Sequence, residues 1–156
     1  MIKTNAMRIL DKMKVQYDVI TYDVKDDKID GISVAKKIGK DEKYVFKTIV
    51  TCGNSQNIYV FLIPVREEID FKKVAIITNE KRIEMLDVND LQKYTGYIRG
   101  GCSPIGMKKQ YKTFIHESAL YIENIIVSGG KIGFQIEINP NLLKNIIEGE
   151  FQDLIK

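Results

Sequence analysis

Apolar and polar positions along this chain fall into short blocks that switch between helical and strand periods. Behind Thr4, residues Met7, Leu10 and Met13 recur at three-residue steps, which predicts a capped helix with these three on one side. Tyr17–Asp23 (YDVITYD) alternates like a strand, and Ser33 then opens a short helix, SVAKKI, that Gly39 closes. Two apolar runs, Val45–Cys52 and Ile58–Ile63, are joined by CGNSQN and give the clearest hairpin signal in the sequence. Asp70 is placed to cap FKKVAII, and a short strand, RIEML, follows. Asp87 or Asn89 opens a helix through DLQKY that Gly96 ends. Tyr111–Ile115, Ile125–Ser128 and Gly133–Ile138 read as further strands, and Pro140 starts the last helix, NLLKNIIEG. Hairpins mixed with intervening helices predict an α+β fold: a mixed, largely antiparallel sheet or partial barrel flanked by helices. No linker or internal repeat interrupts the pattern, so residues 1–156 are expected to form a single domain.

Composition narrows the partners only slightly. The formal charge is +3, from 24 basic and 21 acidic residues, an excess too small to declare nucleic-acid binding by itself. Two cysteines, Cys52 and Cys102, stand far apart, and His116 is the single histidine, so a Cys/His metal site is not expected. No apolar run has signal-peptide or membrane-span length, and a cytoplasmic protein with reduced thiols is expected. No cofactor motif is present.

The chemistry concentrates in three places. Gly96–Gly106 (GYIRGGCSPIG) holds four glycines and a proline. Such a loop can bring backbone N–H groups against a phosphate or an oxyanion, or it can be a structural turn. A second cluster, Val127–Gly133 (VSGGKIG), has the same character, with Ser128 at a strand end beside Gly129 and Gly130. In VFKTIVTC, Lys47 interrupts an otherwise apolar strand face, with Phe46 and Thr48 on the opposite side. It either snorkels to water or forms a cation at the floor of a pocket. Cys102 lacks an evident base, so it is a poor nucleophile candidate, and His116 carries no family signature. The lysine pairs Lys36–Lys37, Lys72–Lys73 and Lys108–Lys109 read as solvated faces, or together as a diffuse phosphate-contacting surface.

Three segments, KTNAMRILDKMKVQYDVITYD, VFKTIV and GYIRGGCSPIG…VSGGKIGFQIEI, resemble the YbaK/EbsC-type aminoacyl-tRNA deacylases, free-standing relatives of the editing insertion of bacterial prolyl-tRNA synthetase. The resemblance covers nearly the whole chain. It implies an editing domain that hydrolyses the ester between a wrong amino acid and tRNA, above all cysteine on the proline tRNA. By motif, the essential lysine of that family falls on Lys47, its tyrosine on Tyr22, its glycine loop on Gly100, Gly101, Ser103 and Pro104, and its serine on Ser128. Lys47, Gly100 and Gly101 are thereby the expected catalytic groups. Tyr22, Phe46, Thr48, Tyr97, Cys102, Ser103, Pro104, Ser128, Gly129 and Gly130 are the expected binding groups. Two positions depart from the pattern: Ile132 where an arginine is usual, and Gln135 where an aspartate is usual.

The implied reaction is substrate-assisted, with the thiol of the cysteine substrate attacking its own carbonyl, and needs neither metal nor cofactor. The implied partners are the 3′ end of aminoacylated tRNA and prolyl-tRNA synthetase, with no membrane. Two alternatives remain: a non-catalytic module for the tRNA 3′ end or a synthetase surface, and a deacylase for another small amino acid, such as Ala-tRNA(Pro). A small-molecule acyl hydrolase would need a GxSxG motif or a triad, and the chain has neither.

Overall fold

The computed structural model describes residues 2–156. Helix α1 (Asn5–Lys12) begins where its cap predicts, because the Thr4 hydroxyl accepts the Met7 N–H at 3.2 Å. Ala6, Met7 and Leu10 are buried. Met13 is not: it is the C-cap and 53% exposed, since Lys14 at φ 57° turns the chain away one residue later. Strand β1 (Asp18–Thr21) is shorter than YDVITYD. Helix α2 (Gly31–Lys37) opens two residues before Ser33, because Asp30 is its cap and accepts the Ser33 N–H at 3.1 Å.

The hairpin forms as β2 (Phe46–Gly53) and β3 (Ile58–Pro64), antiparallel, with Phe46 opposite Pro64 and Cys52 opposite Ile58. Helix α3 (Phe71–Thr78) is capped by Asp70, and β4 (Ile83–Met85) pairs with the far end of β2. Asp87, not Asn89, caps α4 (Val88–Thr95), and Gly96 ends it at φ 85°. Strands β5 (Lys112–His116), β6 (Ile125–Ser128) and β7 (Phe134–Ile138) follow, then α5 (Pro140–Ile146) behind its Asn139 cap. A last strand, β8 (Gly149–Gln152), pairs in parallel with β5 and has no counterpart among the predicted elements.

The fold is α+β, with two sheets ordered β1-β7-β6 and β4-β2-β3-β5-β8. Four of the six strand pairings are antiparallel; β3–β5 and β5–β8 are parallel. One isolated parallel bridge, Val45 to Ile126, joins the start of β2 to β6, and the sheets do not close into a barrel. Alternation in β2 sends Phe46 and Val50 into the main core with Met7, Leu10, Val127 and Ile136. Ile49 faces the other way, into a second cluster under α3 with Phe61, Val74 and Phe114. Lys47 falls on that second face. No helix among the described residues is long and apolar enough to cross a membrane.

Candidate active site

A cavity of about 780 Å³ opens where the two sheets part. β2 and β6 run side by side at the Val45–Ile126 bridge, and two residues further on Lys47 and Ser128 flank the gap. β4 pairs with β2 only at Thr51–Gly53, so beyond the Val45 bridge the β2 edge at Phe46–Thr48 has no strand partner on that side, and the four consecutive residues Val45–Thr48 all line the cavity. The sheet divergence creates the space, and the open strand edge supplies its floor.

Lys47 therefore lines the cavity, with Arg99 as a second cation there, rather than ending a solvated strand. It is half-buried, and burial pulls its pKa below the ordinary lysine value, opposed by the more distant charges of Glu68 and Glu67. Neither carboxylate bonds it. Phe46 and Thr48 line the same cavity, and the Thr48 hydroxyl is buried without a protein partner.

The glycine loop divides into two parts. Arg99, Gly100 and Cys102 line the cavity, and the Gly100 and Cys102 N–H groups have no acceptor among the described residues. Gly100 has φ 85°, the left-handed conformation that favours glycine, and a Cβ there would stand 2.7 Å from Ile29 Cδ1, the movable end of a side chain. Gly101 departs from its expected role: its N–H donates to Ile98 O at 3.0 Å to close the turn, and it does not line the cavity. Its reason is close approach, because a Cβ would lie 2.9 Å from the Ile132 backbone nitrogen of the second loop. Ser103 and Pro104 are buried behind the cavity, and the Ser103 hydroxyl accepts the Ile105 N–H at 3.2 Å. Tyr97 likewise packs inside, donating its hydroxyl to Ile105 O at 2.5 Å. These three are buried in the loop and do not line the cavity.

In the second loop only Ser128 lines the cavity. The Gly129 N–H donates to Phe134 O at 2.9 Å, and the Gly130 N–H to the Ser128 hydroxyl at 3.3 Å, so neither amide is free. The Thr4 hydroxyl donates to Gly129 O at 2.5 Å, tying the loop to the start of α1. The expectation of two amide-donating turns reduces to one. Tyr22 does not line the cavity; its hydroxyl is buried and unpartnered, and Lys37 Nζ lies 5.8 Å from its ring.

Sequence reasoning missed the rim and one wall. Asp27, Ile29 and Asp30 line the cavity from the loop between β1 and α2, and Arg99 and Gln135 line it as well. Gln135 is only 6% exposed and lies opposite Ser128 across β6 and β7. Ile132, the other departure, packs against Gly100 instead. Lys37 is not a solvated lysine: it donates to Asp23 O, Asp26 Oδ1 and Lys28 O at 2.6, 2.6 and 2.8 Å, pinning that loop.

No side-chain nucleophile–base pair exists here. Burial pushes the Cys102 thiol up to about 12, and His116 is occupied elsewhere, its Nδ1 accepting the Leu154 N–H at 3.2 Å. Among the described residues, no group of three or more His, Cys, Asp or Glu could hold a metal ion. Two cations, Lys47 and Arg99, amides without an acceptor, hydroxyls, and the rim carboxylates Asp27 and Asp30 suit a hydrolase whose substrate is an already activated acyl ester rather than an amide.

The chain belongs to the aminoacyl-tRNA editing domain family, whose sequence profile matches residues 30–146. A protein of Enterococcus faecalis named "Putative Cys-tRNA(Pro)/Cys-tRNA(Cys) deacylase EbsC" is 44% identical over 152 residues, covering 97% of this chain and 93% of that one. A solved structure described as "a putative trans-editing enzyme for prolyl tRNA synthetase" superposes with a TM-score of 0.85 at 17% identity, covering 100% and 99% of the two chains. A second, described as a "hypothetical protein", gives 0.87 at 15% identity over 96% and 97%. At these identities the two structures speak for the fold alone.

Proposed function

We propose that this protein edits in trans, releasing cysteine from mischarged tRNA, with Cys-tRNA(Pro) as the principal substrate. The observation that supports this reading is the cavity at the sheet divergence, whose lining brings Lys47 together with Gly100 and Cys102, two residues whose N–H groups have no acceptor among the described residues. The aminoacyl ester enters with its carbonyl toward those amides, each such donor being worth about 3 kcal/mol to an oxyanion. The ammonium of Lys47, half removed from water, adds charge to the same carbonyl side. Arg99 at the mouth takes the phosphate of the terminal nucleotide. The thiol of the substrate then attacks its own carbonyl carbon: the carbon–sulfur bond forms, the carbon–oxygen bond to the ribose breaks, and the ribose oxygen leaves with the thiol proton. This route needs no protein nucleophile, in keeping with a Cys102 held protonated.

A pocket alone separates small amino acids by only about 1–3 kcal/mol per methylene, so an attacking side chain on the substrate supplies the sharper filter. The whole chain acts as one editing domain in the cytoplasm, and prolyl-tRNA synthetase supplies tRNA identity that a net charge of +3 does not. Gln135 favours a second reading on one point only. Because this departure lines the cavity, it bears on the acyl group accepted, and Ala-tRNA(Pro) is the rival substrate.

Purified protein is incubated with Cys-tRNA(Pro), Cys-tRNA(Cys), Ala-tRNA(Pro) and Pro-tRNA(Pro), beside a folded Lys47→Ala variant. Loss of the cysteine charge by wild type, abolished in the variant, is the expected result. Loss of alanine alone transfers the assignment to the rival substrate, and stable charging of every tRNA leaves a binding module.

A further inference from the structure

We propose that Asp27 is a specificity-determining residue that binds the α-ammonium group of the aminoacyl ester; this rests on the deacylase reading above. An aminoacyl ester differs from other tRNA esters in carrying a cationic amine on the carbon next to the scissile carbonyl. A site that reads it needs an anion at the cavity with free acceptor oxygens.

The loop between β1 and α2 contains four aspartates, and three are already engaged. Asp23 Oδ1 accepts the Lys25 N–H at 3.0 Å. Asp26 Oδ1 accepts the Lys28 N–H at 3.1 Å and Lys37 Nζ at 2.6 Å. Asp30 accepts the Ser33 N–H at 3.1 Å and the Ser33 hydroxyl at 2.6 Å as the cap of α2. The Asp27 carboxylate alone has no donor among the described residues, and Asp27 and Asp30 are the two that line the cavity. The other polar lining groups are cations or neutral: Lys47, Arg99, Thr48, Cys102, Ser128 and Gln135. By elimination, Asp27 is the one uncommitted anion available to a cationic ligand there.

The loop is built to hold this residue. Lys37, with its side chain 19% exposed, directs three short bonds into the loop on both sides of Asp27. Ile29 packs over Gly100, latching the loop to the amide donors. Asp27 itself has φ 60°, a conformation most side chains avoid and that Asp and Asn tolerate best. The Asp27 backbone is thus held on the rim next to Gly100, with its carboxylate exposed and without a donor among the described residues.

Asparagine keeps the left-handed backbone and removes only the charge, so Asp27→Asn is a folded test. kcat/KM is measured for wild type and variant on Cys-tRNA(Pro) and on N-acetyl-Cys-tRNA(Pro), which lacks the ammonium. The wild type is expected to prefer the free amine by about threefold, the size of one ion pair at an exposed carboxylate. Asp27→Asn should lose that preference through a higher KM on the free amine, with the acetylated ester unchanged. An unchanged preference in the variant overturns the assignment while leaving the deacylase intact. A wild type that cleaves neither ester overturns the deacylase reading, and this inference with it.

Discussion

Gly101→Ala is the substitution that best separates the architecture of the site from its chemistry, because Gly101 holds the site together without touching the cavity. Its φ is not left-handed, so alanine introduces no backbone strain of its own. The added methyl instead stands 2.9 Å from Ile132 N and 3.1 Å from both Lys131 C and Cα. All three are backbone atoms that no rotamer change can move. Ordinary contacts lie near 3.5–4.0 Å, so the two loops must separate by roughly 0.5 Å. Overpacking of this kind costs about 1–3 kcal/mol, which lowers Tm by roughly 2–4 °C per kcal/mol in a chain of this size. The flanking Gly100 and Cys102 amides move with the backbone. Losing about half of one donor worth ~3 kcal/mol to the oxyanion lowers kcat roughly tenfold. Steady-state deacylation of Cys-tRNA(Pro) and thermal denaturation read the two effects. Gly39→Ala is the control: Gly39 has φ 69° but open space around it, so it should lose about 1 kcal/mol of stability and no activity. A Gly101→Ala protein with wild-type Tm and kcat would show that the loops do not abut and that the donors are not held by this contact.

Three further outcomes follow from the same structure. Cys102→Ala should keep kcat within about threefold of wild type, because the native thiol is held protonated by burial and attacks nothing; a folded, inactive variant would return the thiol to the mechanism. Thr4→Ala should lose about 1–2 kcal/mol in urea unfolding, since one hydroxyl caps α1 and also bonds Gly129 O; Thr4→Ser should recover it, and an unchanged midpoint for Thr4→Ala would refute the double role. Burial lowers the His116 pKa below its ordinary 6.5, so the unfolded chain takes up the proton first. Stability should be complete above about pH 6.5 and fall as the pH drops below it, a slope absent from His116→Gln and refuted if both proteins share it.

Local signals in the sequence carried much of the fold. Asp70 and Pro140 each opened a helix where their chemistry demanded, Gly96 closed one, and the β2–β3 hairpin was legible from two apolar runs and a turn. Strand β8 was not legible: four residues, one of them glycine, gain their strand character only by lying beside β5. Lys47 stood out because a charge broke an apolar face, which is a local property. The roles of Gly101, Ser103, Tyr97 and Gly129 depended on which backbone groups they meet, and the residue type carries no record of that. The rim showed the opposite failure. The segment DVKDDKID carries no motif that assigns it a role, and the Lys37 bonds together with the Ile29 approach to Gly100 make it a wall of the cavity. The Val45–Ile126 bridge, which locates the site, joins residues far apart in sequence, and no periodicity reports it.

That bridge has a consequence for how acyl preference changes over time. The two sheets are joined by a single rung, and around it lies a small cluster of Ala35, Val45, Val65 and Ile126. Adding or removing a methyl group in that cluster alters the angle at which the sheets diverge, and with it the aperture between Lys47 and Ser128. Selectivity among amino acids is therefore expected to drift through aliphatic exchanges at Ala35 and Ile126, which do not line the cavity, while Lys47, Gly100 and Ser128 stay the same.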